Sequence, residues 1–391
     1  MPLRFASSPS GILVATLLVL AGIAADLPPA AAQEFDVEAR RCSDEKADPD
    51  ARIETCTWLL GSKELSQESV PATHYNRGNA YYDRGQYDRA VADYDEAIRL
   101  NFDEADVYAN RGDAHRRTGR YDRAIQDLDR AIRLNPNDPN TFVNRGLAYE
   151  GKGQHDQAIE DYDRAIRLEP NDAVAYYNRG LAYERKLQYD RAIQDFEQAI
   201  RLSPDHAGAY YHRGLAYGRK VQYDRAIQDF DHAIRLNSDD ADAYHGRGLA
   251  HRYKGQYDHA IEDYDRAIGL NPNYAGAYNS LAWLRATAKE ARFRDGAEAV
   301  RLARKAVEIE AKNTSYYDTL AAAYVEAGET ERALAAYRHA MVLGGEQRVR
   351  SYQDYLRKNG FYGGSVDGLS GPVTEAALKA CIEAGCKLLA D

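Results

Sequence analysis

The chain has 391 residues, of which 51 are Lys or Arg and 61 are Asp or Glu, so its formal net charge is −10. A mean hydropathy of −0.65 indicates that much of this length is surface, unlike the deeply buried α/β enzymes of similar size. The acidic balance argues against nucleic acid as a partner, because binding to phosphates requires clustered Lys and Arg.

The N-terminal residues 1–32 have the pattern of a secretory signal peptide. Arg4 precedes an apolar run at 11–25, and small residues ending at Ala32 provide a cleavage site. The run is short for a membrane-spanning helix, and an uncleaved N-terminal anchor is the alternative. We therefore expect a protein exported to the bacterial cell envelope, periplasmic or secreted, with no membrane span after the signal is cleaved.

The four cysteines fall in two local pairs, Cys42 with Cys56 and Cys381 with Cys386. Three pairings exist for four cysteines, but local pairing is favoured because an extended repeat array would separate the two ends. A zinc site built from all four thiolates would need two matching knuckles, and only the second pair is close to that spacing. In an oxidising compartment the sequence therefore predicts two disulfides.

Residues 71–274 repeat with a strict period of 34 residues. The period is clearest in one glycine of each of repeats 1 to 6: Gly78, Gly112, Gly146, Gly180, Gly214 and Gly248. Alanine recurs at Ala90 and Ala97 and at their equivalents, and proline ends four of the six repeats. The pattern resembles the tetratricopeptide repeat. The resemblance implies an all-α fold, a right-handed α-solenoid of helix hairpins, and we expect a small helical domain to follow it at the C-terminus.

The residues of a single repeat support this interpretation on physical grounds. In repeat 4, Tyr176, Gly180 and Tyr183 lie at helical spacing on a first helix, and Ala192 and Phe196 on a second. The small residues let the two helices approach closely, and the aromatic rings fill the space beside them. One hairpin is too small to bury its own apolar face, so stability must come from stacking of repeats.

Two further repeats, 275–313 and 314–347, complete an array of eight over residues 71–347. The seventh is longer than 34 residues at the turn between its helices. Residues 33–70 are interpreted as a helical N-terminal cap stapled by Cys42 and Cys56, because Asp48-Pro49 is typical of a helix start.

An arginine and an aspartate recur together in the first six repeats. The arginines are Arg77, Arg111, Arg145, Arg179, Arg213 and Arg247, and the aspartates are Asp93, Asp127, Asp161, Asp195, Asp229 and Asp263. Repeat 7 replaces both at once, with Leu281 and Leu302. Because an unpaired buried charge is costly, joint loss predicts a partly buried ion pair between the two helices of each repeat.

The opposite face of the first helices is expected to line the concave side of the array. In repeat 4 this groove face consists of Val174, Tyr177, Asn178, Leu181 and Arg185. Across repeats 1 to 5, one position forms an asparagine column: Asn76, Asn110, Asn144, Asn178 and then His212. Aromatic residues stand beside it at Tyr75, Tyr177 and Tyr211.

Amides suit the backbone of an extended peptide, because each offers a donor and an acceptor. In some tetratricopeptide-repeat proteins an asparagine ladder holds extended peptides, so the resemblance implies a peptide-binding groove here. The alternative is that these amides solvate an idle face or bond to the adjacent helix.

Beyond Gly345 the period ends, and residues 348–391 form a different domain. Its sequence resembles that of the small helical peptidoglycan-binding domain at Tyr355-Leu356, Gly360-Phe361-Tyr362, Val366-Asp367-Gly368 and Gly371-Pro372. The resemblance implies peptidoglycan as a second partner, with Tyr355, Phe361, Tyr362 and Asp367 as candidate contacts. Cys381-Ile382 stands near the place where the family usually has a Phe-Gln pair, which leaves a purely structural cap as the alternative.

No catalytic motif of the H-E-x-x-H, G-x-S-x-G or Cys/His kind occurs in the sequence. His212 and His245 fall on the groove face, but a two-histidine metal site without carboxylates is disfavoured. The sequence therefore predicts no catalytic residue, no metal and no cofactor. It favours an exported, non-enzymatic scaffold that binds proteins or extended peptides in the groove and is tethered to peptidoglycan. The alternative is an accessory or regulatory subunit of cell-wall enzymes with cryptic activity.

Overall fold

The computed structural model describes residues 29–388, with the backbone alone described for residues 29–34. Within this range the chain is all-α, with nineteen α-helices, one short 3₁₀ helix and no strand. Residues 1–28, which contain most of the predicted signal peptide, lie outside the described residues. In the part that is described, no helix combines the length and apolarity needed to cross a bilayer.

The chain divides into two compact halves, with the boundary between Pro204 and Asp205. The helices of the N-terminal half are α1 Pro29–Ser43, α2 Pro49–Gly61, α3 Val70–Asp83, α4 Tyr87–Arg99, α5 Ala105–Arg117, α6 Tyr121–Leu134, α7 Pro139–Gly151, α8 His155–Leu168, α9 Ala173–Arg185 and α10 Tyr189–Leu202. The helices of the C-terminal half are α11 Ala207–Arg219, α12 Tyr223–Leu236, α13 Ala241–Tyr253, α14 Tyr257–Leu270, α15 Ala275–Thr287, α16 Gly296–Ile309, α17 Thr314–Glu326, α18 Thr330–Lys358 and α19 Pro372–Glu383.

Each half is a stack of helix hairpins, as the period predicts. The first helix of a repeat is frequently capped by an aspartate, as in repeat 3, where Asp138 accepts hydrogen bonds from the backbone N–H groups of Asn140 and Thr141. The first and second helices approach closely at the recurring glycine. A Cβ atom on Gly180 would lie 2.7 Å from the ring of Phe196, so only glycine leaves room for the ring.

The turn between the two helices of a repeat requires a left-handed backbone conformation. Glycine occupies this position in repeats 1, 2, 3 and 6, with φ between 71° and 75°. Repeats 4 and 5 have Leu187 and Val221 there, with φ of 58° and 61°. Both side chains are exposed, so no packing compensates for the strain that a branched side chain meets in this conformation.

The C-terminal domain packs directly on the last repeat. Helix α18 passes through Gly345, whose φ of 58° and ψ of −154° divide it into two arms. The second arm packs against α17, where the Arg348 guanidinium donates to Asp318 at 2.8 Å and the Tyr352 hydroxyl also donates to Asp318. One continuous apolar core extends from Ala260 to Leu388. Residues 348–388 therefore form a module that shares the core of repeats 7 and 8.

Replacing Val221 by glycine is expected to stabilise the protein by about 1 kcal/mol. The substitution removes the strain of a β-branched residue at positive φ, which costs about 1–3 kcal/mol. Part of this gain is offset because glycine raises the conformational entropy of the unfolded chain. Urea unfolding monitored by circular dichroism measures the change. The matched control is Gly153→Val, which introduces the same strain in repeat 3 and should destabilise. A loss of stability in Val221→Gly would contradict the assignment of strain.

Candidate functional site

The predicted ion pairs between the helices of each repeat are present in all six repeats. In repeat 4, the guanidinium of Arg179 donates to the carboxylate of Asp195 through two bonds, of 2.8 and 2.6 Å. The same fork joins the other five pairs, Arg77–Asp93, Arg111–Asp127, Arg145–Asp161, Arg213–Asp229 and Arg247–Asp263. The predicted ion pair between the two helices of each repeat is confirmed.

A second carboxylate, which the sequence analysis missed, joins four of these arginines to the preceding repeat. The Arg179 guanidinium also donates to Asp163 at 2.5 Å, and Asp163 lies on α8 of repeat 3. The equivalent contacts are Arg111–Asp95, Arg145–Asp129 and Arg247–Asp231. Burial alone would lower the pKa of Arg179, but its hydrogen bonds to Asp195 and Asp163 raise it above its usual value. These arginines therefore hold adjacent repeats together.

The recurring tyrosines are partly explained by the same arginines. The Arg179 guanidinium lies 5.5 Å from the ring centre of Tyr176 and 6.0 Å from that of Tyr183. Such contacts are within the range of cation–π attraction. The arginine column and its rings occupy one side of the first helices, and the groove face remains on the other.

Asn110 is the member of the asparagine column that the structure ties to its neighbours. Its Nδ2 atom donates to the Tyr75 hydroxyl at 3.1 Å and to Asn79 Oδ1 at 3.0 Å, and both acceptors belong to repeat 1. Asn79 Oδ1 also accepts a hydrogen bond from the Tyr94 hydroxyl at 2.7 Å. Bonding to the adjacent helix, the alternative considered from the sequence, thus describes Asn110.

Asn144 and Asn178 are placed differently. Among the described residues, neither side chain has a hydrogen-bond partner, although Asn178 is buried and Asn144 is partly buried. The Oδ1 atom of Asn144 and the Nδ2 atom of Asn76 are fully enclosed without a partner in the described chain. Beside the column, burial raises the pKa of Tyr177 to about 12. The N-terminal half therefore contains amides whose hydrogen-bonding capacity is unused.

In the C-terminal half, Tyr211 and His212 lie beside each other on α11, with ring centres 5.1 Å apart. Tyr211 also packs on the ring of Phe230 at 5.9 Å. No group of three or more possible metal ligands occurs among the residues that the structure describes.

A chain of hydrogen bonds on α13 to α15 was not foreseen from the sequence. The Tyr274 hydroxyl donates to Asp242 Oδ1 at 2.6 Å, and His245 lies 3.1 Å from that hydroxyl through Nδ1 and 2.9 Å from Ser280 Oγ through Nε2. Because the carboxylate accepts only, His245 Nδ1–H donates to Tyr274 and Nε2 accepts from Ser280. Burial lowers the pKa of His245 to about 4, consistent with this neutral form.

The Ser280–His245 pair has the polarity of a nucleophile and its base, but not the surroundings of a catalytic site. Ser280 is buried within α15, where the backbone N–H groups serve the helix. The backbone N–H groups beside Ser280 are therefore not available to an oxyanion. The chain of hydrogen bonds satisfies polar groups between repeats 6 and 7.

The candidate peptidoglycan contacts lie around a buried glutamine. Gln353 Nε2 donates to the Tyr362 hydroxyl at 3.1 Å and to Asp367 Oδ1 at 2.8 Å, and Gln353 Oε1 accepts from Gly368 N at 2.8 Å. Tyr355 donates through its hydroxyl to the carbonyl oxygen of Lys387 at 3.2 Å. Phe361 packs against the core. Tyr362 and Asp367 therefore shape the loop around Gln353, a residue that the sequence analysis did not single out, whereas Tyr355 holds the segment after α19 and Phe361 packs on the core.

Both cysteine pairs lie within bonding range. The Cα atoms of Cys42 and Cys56 are 5.0 Å apart, and those of Cys381 and Cys386 are 5.2 Å apart. Such separations are typical of disulfides.

Models of the tetratricopeptide repeat match residues 75–139, 128–160, 151–186, 173–206, 207–240 and 241–274, which together leave no gap between 75 and 274. The chain belongs to the tetratricopeptide-repeat family. A model of the putative peptidoglycan-binding domain matches residues 345–381, in agreement with the resemblance of the C-terminal module.

Several solved structures are similar to parts of the chain. The C-terminal part of a TPR repeat-containing protein from Cytophaga hutchinsonii has 19% identity and a TM-score of 0.51, over 63% of this chain and 99% of that one. MamA has 30% identity and a TM-score of 0.40, over 42% and 96%. YrrB, described as a TPR protein with an unusual peptide-binding site, has 22% identity and a TM-score of 0.42, over 48% and 96%. No curated protein sequence matches the chain.

Removing one partner of the repeat-4 ion pair is expected to destabilise the protein by about 3 kcal/mol, because the other charge remains buried. Arg179→Ala and Asp195→Ala should each show this loss in urea unfolding. The double variant Arg179→Leu/Asp195→Leu should recover most of it, as Leu281 and Leu302 do naturally in repeat 7. Strictly additive losses in the double alanine variant would argue against pairing.

Envelope-isolated protein is expected to contain no free thiol. Intact mass after alkylation, with and without prior reduction, counts the thiols. Reduction of Cys42–Cys56 should cost about 3 kcal/mol of stability, because the bond closes a loop of about 15 residues. The five-residue loop of Cys381–Cys386 should contribute less. Alkylation of all four cysteines without reductant would refute both bonds.

Proposed function

We propose that this protein is an exported, non-enzymatic interaction scaffold whose tetratricopeptide repeats bind an extended segment of a partner protein along the asparagine column. The family supports protein binding as the general function. Export is supported by the signal-like sequence at 1–32 and by two cysteine pairs with the spacing of disulfides.

The observation that carries the proposal is the unused hydrogen-bonding capacity of Asn144 and Asn178. The amide of Asn178 and the Nδ2 atom of Asn144 are not among the fully enclosed atoms, so a ligand can reach them. An extended peptide offers alternating N–H and C=O groups that match both halves of an amide. Binding would therefore supply bonds that the described chain itself leaves unmade at these two residues.

The proposal is supported by a difference between members of the same column. The Nδ2 group of Asn110 donates to Tyr75 and Asn79, whereas the side chains of Asn144 and Asn178 form no hydrogen bond with a described residue. The column therefore contains its own control for the effect of losing an amide.

The double variant Asn144→Ala/Asn178→Ala is expected to weaken binding of a partner segment roughly thirtyfold, since each lost hydrogen bond contributes about 1 kcal/mol. Its urea midpoint should equal that of the wild type, because no bond within the described chain is lost. A peptide array of envelope-protein sequences identifies the segment, and fluorescence anisotropy measures its affinity.

Asn110→Ala is the matched control, and it should lower stability through the loss of two internal hydrogen bonds. Unchanged affinity of the double variant for every segment recovered would show that the asparagine column is not the binding site.

Peptidoglycan is proposed as a second partner because residues 345–381 match the family model. Since Tyr362 and Asp367 are engaged around Gln353, wall affinity would depend on exposed residues of the same region, such as Leu369 and Val373. Sedimentation of the full chain with purified peptidoglycan tests this proposal. Affinity that is lost in Leu369→Asp/Val373→Asp supports it, and a wild-type chain that does not sediment leaves the module as a cap.

A further inference from the structure

The segment Cys386–Leu388, which follows α19, lies against the first helices of repeats 7 and 8. The Lys387 ammonium donates to the carbonyl oxygen of Ala286 at 2.6 Å and pairs with Glu326. The backbone N–H of Leu388 donates to the Tyr337 hydroxyl at 2.9 Å, and the Leu388 side chain is completely buried. The segment therefore occupies a definite site.

One contact residue of this site, Glu326, occupies a groove-face position, and another, Tyr337, lies on the second helix behind that face. Glu326 stands in repeat 8 where repeat 4 has Arg185, one of the residues that define the groove face. Tyr337 is the repeat-8 equivalent of Tyr94 in repeat 1. The Tyr94 hydroxyl donates to Asn79, which is the equivalent of the groove-face residue Leu181. Repeat 8 has Ala322 in place of Asn79, and there the backbone N–H of Leu388 donates to the Tyr337 hydroxyl.

The contacts with the backbone of the segment do not depend on its sequence. The carbonyl oxygen of Lys387 accepts from the Tyr355 hydroxyl at 3.2 Å, and the N–H of Leu388 donates to that of Tyr337. Two tyrosine hydroxyls thus bind one acceptor and one donor of adjacent residues, as an extended peptide requires.

The side-chain contacts add selectivity for a cation. Ala286 lies in the last turn of α15, where carbonyl oxygens lack helical partners and attract positive charge. Glu326 contributes a full negative charge and also accepts from Arg294 Nε at 3.0 Å. The Lys387 side chain is only 18% exposed in this setting. A lysine followed by a leucine therefore meets both a charged and an apolar subsite.

We propose that the groove face of repeats 7 and 8 is a second peptide-binding site, that Lys387 and Leu388 fill it in the resting protein, and that it accepts an extended segment with lysine followed by an apolar residue. A partner segment binds only by displacing the chain's own. This site is separate from the asparagine column and does not depend on the function proposed for it.

The test uses the full chain and a peptide of its own sequence as the probe. The fluorescein-labelled peptide spans residues 384–391 with serine in place of Cys386. Leu388→Asp should expel the segment, because a carboxylate would enter an apolar site, and this variant should bind the peptide at least tenfold more tightly than the wild type. Val342→Asp, at an exposed position, is the matched control and should bind like the wild type.

Selectivity is tested with two further changes. A peptide with alanine in place of lysine should bind Leu388→Asp at least tenfold more weakly, and Glu326→Gln in the same background should weaken the original peptide. Equal affinities of the wild type and Leu388→Asp, or no binding by either, would overturn the proposal.

A second measurement keeps the proposal testable if Leu388→Asp does not fold. In the wild-type chain, excess peptide should accelerate hydrogen exchange at the Leu388 amide, since that amide loses the Tyr337 hydroxyl when the segment is displaced. The alanine peptide should have a weaker effect. Exchange that does not respond to either peptide would refute displacement.

Discussion

A guanidinium shared between two carboxylates fixes how repeats 2, 3, 4 and 6 each align with the repeat before. Small residues bring the helices of a hairpin together, but alanine and glycine surfaces define the relative position of two hairpins poorly. Arg179 binds Asp195 in its own repeat and Asp163 in the preceding one, so its planar fork specifies how they align. Desolvating these charges is costly, and the benefit is therefore geometry more than stability.

The periodic part of the structure could be predicted from the sequence because the same residue types recur at the same positions in each repeat. The joint replacement of Arg179 and Asp195 equivalents in repeat 7 revealed a pair that contacts within one repeat. Asp163 was missed because its contact crosses to the next repeat, where no equivalent loss draws attention to it. Gln353 and Leu388 make contacts that occur once in the chain, and only the three-dimensional structure brings their partners together.

The C-terminal module shows why motif residues do not by themselves identify a binding surface. Tyr362 and Asp367 match the family pattern, yet both are hydrogen-bonded to Gln353 and shape the loop. Residues that a small domain needs for its fold recur as strongly as residues that contact a ligand. The second arm of α18 also joins Asp318 of repeat 8 through Tyr352 and Arg348, so the module is built on the repeats without an intervening linker.

The buried tyrosine on the second helix of a repeat finds different hydrogen-bond partners in repeats 1 and 8. In repeat 1, the polar groove residue Asn79 accepts a hydrogen bond from the hydroxyl of Tyr94. In repeat 8 the corresponding residue is Ala322, and the backbone N–H of Leu388 donates to the hydroxyl of Tyr337. At the same position in repeats 3 and 6, the hydroxyls of Tyr162 and Tyr264 are buried without a partner in the described chain, so the hydrogen bond in repeat 8 is particular to that repeat. Alanine at position 322 has no polar group to offer Tyr337, and the backbone of Leu388 supplies one from the chain's own segment.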